Sequence, residues 1–220
     1  MKKYFLSTIM FAVYLTSFGQ YKITVTEKSA NLGGASHNAF SVMVFEMDAK
    51  DVEKAWKKEM KKMGAKVQSK KEMFGDDANT SEMGDNNFDI YAIAKEEEKG
   101  VELTAAFDLG GAYLSSGEHA AQAKYIKDLM YKFGVDATKL GIQGIIKAEE
   151  KTQKDLENDQ KNLEKDKEKL EKNIEEWEKS IEQAKKDIEQ NIKDQEEKKK
   201  AIEAQIKVVE EVVAKEKSVK

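Results

Sequence analysis

The sequence predicts an α+β fold: an antiparallel sheet of about five strands in the order ββαβββα with two helices on one face, followed by a long C-terminal helix or coiled coil. Three observations carry this. Glycine divides the chain, since all thirteen lie at or before Gly144. Before that point, short runs rich in aromatic and β-branched residues alternate with two stretches of helical spacing, and isolated helices among runs of strands indicate a sheet covered on one side. After it, charged and aliphatic residues repeat every seven positions. The segments are a signal peptide over 1–19, an α+β domain over 20–146 and a heptad-repeat helix over 147–220.

Lys2 and Lys3 precede an apolar stretch from Phe5 to about Leu15, and Ser17 and Gly19 supply small residues before Gln20. This is the layout of a secretory signal peptide, with cleavage expected near Gly19 or Gln20. The apolar run is shorter than the roughly 20 residues that span a bilayer. The reading is therefore export to the periplasm or the extracellular space, with no transmembrane segment after cleavage. The processed chain keeps 36 Lys against 42 Asp plus Glu, a formal net charge of −6.

Tyr21 to Thr26 and Ala39 to Phe45 read as a strand pair around the Gly33-Gly34 turn. Asp48 caps a helix in which Val52, Ala55, Trp56, Met60 and Met63 form one face, ending at Gly64. Ala65 to Met73 is a weaker strand, and Gly75 to Asn87, rich in Asp, Asn and Gly, is a long loop. Phe88 to Ala94 and Val101 to Leu109 alternate clearly and form a hairpin. Ser115 and Glu118 match a capping box for a helix carrying Tyr125, Ile126, Leu129 and Phe133 and ending at Gly134.

The last segment holds 19 Lys and 22 Asp plus Glu among 74 residues, so the overall charged fraction of 36% is concentrated there. Glu168, Glu175, Glu182, Glu189, Glu196 and Glu203 each precede a lysine by four residues, the favourable order for pairing along a helix. With Ile174, Ile181 and Ile188 at heptad position a, these pairs fall on the outward positions b and f. The resulting interaction seam is Leu156, Leu163, Leu170, Ile174, Trp177, Ile181, Ile188, Ile202, Ile206, Val209 and Val213. Asn191, Gln195 and Lys198 interrupt it, which leaves one straight helix and a hairpin corner near 191–200 as alternatives. A coiled coil competes with a lone solvated helix and with a disordered charged tail. The strict repeat and the mixing of signs favour the coiled coil.

The inventory for chemistry is thin. No cysteine means no disulfide, thiol nucleophile or thiolate metal site. There is no arginine, no proline, no HExxH or GxSxG pattern, and only His37 and His119 among histidines. An EF-hand register begun at Asp77 fails, with Glu82 in place of the sixth-position glycine and Phe88 in place of the terminal glutamate. Gly33-Gly34 and Gly110-Gly111 open no phosphate-binding loop, and Gly141-Ile142-Gln143-Gly144 lacks the cationic setting of a nucleic-acid clamp. The expectation is no enzyme, no cofactor and no nucleic-acid partner.

What remains is an exported, non-enzymatic interaction or spacer protein of the cell envelope, an α+β head on a long helical coiled-coil stalk. Its partner is a second copy or another envelope protein, bound through the C-terminal helix. A sheet body with helical arms behind a signal peptide resembles the periplasmic holdase Skp, which implies chaperone activity. The chain departs from that family in its net negative charge and in a helix that runs to its end rather than returning. A small-molecule or metal site in the α+β part, drawing on His37 or His119 with Asp76, Asp77 or Asp85, is the remaining alternative.

Overall fold

The computed structural model describes residues 21–218. The signal-peptide reading falls on residues outside that range. The chain divides into two compact units that meet between Glu149 and Glu150.

The first unit is built on a six-stranded antiparallel sheet in the spatial order β1-β2-β6-β5-β4-β3. β1 (Val25–Leu32) and β2 (Ala35–Val44) form a hairpin whose two-residue loop is Gly33-Gly34, at φ 66° and 88°. A two-residue turn with positive φ at both positions matches the twist of antiparallel strands, and glycine adopts it without strain. That tight loop pins the register, so β1 abuts it and lies later than Tyr21 to Thr26. Polar residues such as Lys28, Ser29 and Asn31 are tolerated because β1 is an edge strand with its outer backbone in water.

α1 (Ala49–Lys62) starts where the Asp48 carboxylate accepts the Asp51 amide at 2.7 Å, and it buries Val52, Trp56 and Met60. The sheet has one strand more than expected. The stretch from Ala65 is a hairpin of β3 (Lys66–Ser69) and β4 (Met73–Ala78), the second of which occupies the start of the anticipated loop. Gly75-Asp76-Asp77 carries turn chemistry in its sequence, yet Gly75 is glycine for space. A Cβ there would lie 2.6 Å from Met60 Cε and 3.1 Å from Ala65 Cβ. The turn character is expressed one step later as a register shift between Gly75 and Ala78, with Asp77 at φ 57° held by Lys66 and Asn87. β5 (Phe88–Glu97) and β6 (Gly100–Asp108) form the expected hairpin.

α2 (Ala120–Ser218) does not end at Gly134; it passes through Gly134, Gly141 and Gly144 without a break. Two of these glycines are packing residues rather than stops. A Cβ on Gly134 would sit 2.7 Å from Val42 Cγ2, and one on Gly141 would sit 2.1 Å from the Glu46 carbonyl oxygen. The helix accepts a propensity cost of about 1 kcal/mol for each in return for close approach to β2 and to the segment that follows it. α1 and the start of α2 bury their apolar faces in one cluster with Phe40, Val42 and Phe107. Trp56 meets the edge of Phe133 at 5.0 Å between ring centroids. The other sheet face carries a small second cluster of Leu32, Ala39 and Ala106, flanked by Tyr91 and Tyr113.

The second unit consists of the remainder of α2. No corner occurs at 191–200, and every described residue of this unit except Asn173 is exposed. No described helix is long and apolar enough to cross a membrane.

Candidate functional site

Residues seven apart return to nearly the same face of a helix, so an uninterrupted α2 places the seam in one line along the second unit. All eleven seam residues are exposed, from 40% for Val213 to 65% for Leu163. Ile192, at 52% exposure, extends the same stripe beyond the residues named from the sequence, whereas Val208, also exposed, falls on nearly the opposite face of the helix. Ile192 follows Ile188 by four residues and carries apolar surface past Asn191, so the interruption is narrower than the a and d positions alone suggest. Exposed apolar side chains occur singly on any surface, whereas here they recur in a row along one face.

The faces flanking the seam are ordered differently from expectation. None of the six Glu-to-Lys pairs closes to contact; among the described residues of the second unit only Lys167 and Glu171 approach, at 3.7 Å. Exposed pairs of this kind gain a few tenths of a kcal/mol against the entropy of two long side chains. Shorter glutamine side chains make the local bonds instead. Gln153 donates to Glu157 and Gln160 to Glu164, both at 2.9 Å, while Gln183 donates to Asp187 and Gln190 to Asp194, both at 2.8 Å.

In the first unit the densest polar cluster joins β1, β2 and the segment leading into α2. Glu27 Oε1 accepts from Asn38 Nδ2 and from the Ser116 amide, each at 2.9 Å. Its Oε2 accepts the Ser116 hydroxyl and faces Lys127 Nζ at 3.1 Å. Lys127 also donates to Ser116 Oγ at 2.7 Å and lies 5.6 Å above the Phe40 ring. A serine beside a lysine invites comparison with a nucleophile and its base, but the group receiving the serine proton here is Glu27. Burial works against ionising Glu27, yet the hydrogen bonds from Ser116, Lys127 and Asn38 outweigh it and hold the pKa down to about 2. So weak a base cannot activate a hydroxyl. The cluster is a clamp that ties the edge strand to the start of α2.

A cleft of about 640 Å³ opens between α1 and α2, with Phe133, Ala137 and Leu140 on its apolar wall and Lys54, Lys58 and Asp51 at its rim. Its charged lining is five acids, Glu46, Asp48, Asp51, Glu59 and Asp136, and three lysines, Lys54, Lys58 and Lys62. His37 is stacked on Tyr113 at 3.6 Å between ring centroids, and His119 lies in the lead-in to α2, bonded through its backbone amide to Ser115. Among the described residues, no three His, Asp or Glu side chains are grouped so as to hold a metal ion. Of the expected helper acids, Asp77 serves the Lys66 and Asn87 contacts described above.

No protein-family model, curated protein or solved structure matches this chain. The reading of its sites therefore rests on their own geometry.

Proposed function

We propose that this is an exported, non-enzymatic protein of the cell envelope whose α+β unit is followed by a helical unit that acts in protein–protein interaction or as a spacer. The observation that carries the reading is the exposed apolar seam on an uninterrupted helix, in a unit that buries almost nothing of its own. A continuous apolar stripe on a helix at this spacing gains free energy when another helix covers it. In the first unit, the densest polar cluster has its carboxylate, serine and lysine bonded to one another. The resemblance to Skp gains no support, since α2 does not turn back on itself.

The reading is tested with the processed full chain and its Ile181→Asp variant. Sedimentation is measured across a hundredfold concentration range, alone and with an envelope extract. Association of the parent chain that the variant loses, with the fold of the first unit unchanged by near-ultraviolet circular dichroism, is the expected result. A parent chain that neither self-associates nor binds anything through this face defeats the proposal. Export is tested separately by fusing residues 1–19 to a reporter active only outside the cytoplasm, which should become active.

A further inference from the structure

Taking the seam as an interaction surface, as proposed above, we infer that its occupant is a second copy of this chain packed antiparallel, with the pairing centred on Lys179. The inference comes from the order of polar and apolar residues along the unbroken helix. Position a, read upward from residue 153, runs Gln, Gln, Lys, Ile, Ile, Ile, Gln, Ile. Position d, read downward from residue 205, runs Gln, Lys, Asn, Ala, Trp, Leu, Leu, Leu. In an antiparallel pair a residues pack in layers with d residues of the other chain, and these two series match in polarity at every layer but one; the next layer outward would set Val209 against Glu149.

At the centre Ile181 meets Trp177 of the second copy, and Ile174 meets Ala184. Further out, Ile188 meets Leu170 and Ile202 meets Leu156. The polar residues coincide as well. Lys167 falls opposite Asn191 and Lys198 opposite Gln160, so each seam lysine faces a neutral partner able to hydrogen-bond it. The mismatched layer is Gln195 against Leu163. Beside the seam at position e, Lys185 comes level with Glu171 of the second copy and Lys199 with Glu157. Against these stand two like-charge contacts, Asp194 with Asp166 and Glu178 with its own symmetry mate.

The parallel alternative in register matches every layer in polarity and sets Asp194 beside Lys199, but it brings the seam lysines together. In register, it stacks Lys167 on Lys167 and Lys198 on Lys198 inside the seam. Across its flanks it sets Asp159 beside Glu164 and Asp166 beside Glu171. Like charges in those places select against an arrangement rather than for it. Sliding the antiparallel pair by one heptad in one direction brings Lys167 onto Lys198. Sliding it in the other sets Lys167 against Ala184 and Gln195 against Leu156.

The chain has no cysteine, so a single introduced thiol carries a nitroxide at one defined place. The test uses the full processed chain labelled at Lys179→Cys or at Lys200→Cys, both on the outward face, with inter-spin distances measured by pulsed dipolar spectroscopy at concentrations where sedimentation shows two-chain mass. The antiparallel pair predicts a short distance at 179, roughly 20–30 Å across two packed helices, and roughly 63 Å at 200, from the 42 residues separating it from its level on the other copy. Equal short distances at both sites mean a parallel pair and overturn the inference while leaving self-association standing. A chain that stays monomeric at every concentration overturns the second copy as occupant. The seam would then be left to a different protein, which the envelope-extract measurement above reads independently.

Discussion

Replacing Glu27 by Gln removes one charge from the clamp between β1 and α2 with little change in shape. In the parent protein the carboxylate accepts four hydrogen bonds, from Asn38, from the amide and hydroxyl of Ser116, and from Lys127. A glutamine offers one acceptor oxygen and turns an amide donor toward groups that are themselves donors. Lowering a carboxyl from its ordinary 4.5 to about 2 corresponds to roughly 3 kcal/mol at 1.36 kcal/mol per pKa unit. Solvent reaches 23% of the Glu27 side chain and 37% of Lys127, and that screening leaves about 1.5–2 kcal/mol for the charge itself. Because the folded-state pKa is depressed, this stabilisation is fully present above about pH 4.5 and drains away as pH falls toward 2. Urea unfolding of parent and Glu27→Gln at pH 7 and at pH 2.5, followed by near-ultraviolet circular dichroism, should show a gap of about 1.5–2 kcal/mol that mostly closes at the lower pH. Other carboxyls with lowered pKa, such as Asp77, are common to both proteins and cancel in the difference. A gap of equal size at both pH values would show that the loss is one of packing, and no gap at pH 7 would show that the clamp holds nothing.

The glycines of α2 should separate by environment. Gly144→Ala, with nothing within 4 Å of the new Cβ, is expected to stabilise by about 0.5–1 kcal/mol, whereas Gly141→Ala, pressed on the Glu46 carbonyl, should destabilise by about 1–3 kcal/mol despite the same gain in helix propensity; urea midpoints of both variants decide it. Tyr113 is pushed up to about 12, by burial first and then by Asp108 and Tyr91, so the protein should lose stability as pH climbs from 10 toward 12. Absorbance titration of the phenolates with parallel unfolding curves should show Tyr113→Phe less sensitive over that range; an identical alkaline decline in both proteins would place the cause elsewhere.

The parts of the fold legible in the sequence are those where one local signal dominates. Asp48 ahead of a helical apolar stripe is a start signal with a single physical meaning, and the alternation of Phe88 to Ala94 against Val101 to Leu109 admits only a two-sided sheet. The misreadings share a cause, since glycine has two uses and sequence shows only one. In sequence, Gly75 and Gly134 carry the signal of a turn and a stop because glycine permits special backbone angles, but both are there for lack of a side chain against Met60 and Val42. The clamp was illegible for a different reason. Glu27 and Ser116 lie 89 residues apart, and no local pattern announces a contact that only the sheet order creates. The seam was legible because its period is its structure. Its flanking charge pairs were overread, since periodic placement shows that Glu and Lys can meet and does not make the meeting favourable in water.

In the antiparallel pair proposed above, the seam's polar layers have a role in selecting orientation and register. A helix with leucine or isoleucine at every a and d position would gain more free energy on association, but it would gain nearly as much in either orientation and in several registers. Here the losses are placed unevenly. Lys167 and the two glutamines below it occupy a in the first half of the unit, while Asn191, Lys198 and Gln205 occupy d in the second half. Apart from Gln195, which occupies a in the second half, polar residues keep to one position type in each half; most of them coincide when the chains run oppositely, and the two lysines stack on their own copies when the chains run together. The cost in affinity is thus small for one arrangement and large for its main competitor. The same reasoning explains why charge excess and apolar seam share one segment: with both signs mixed along the helix, the surface stays solvated while a few misplaced acids and lysines penalise the wrong pairing.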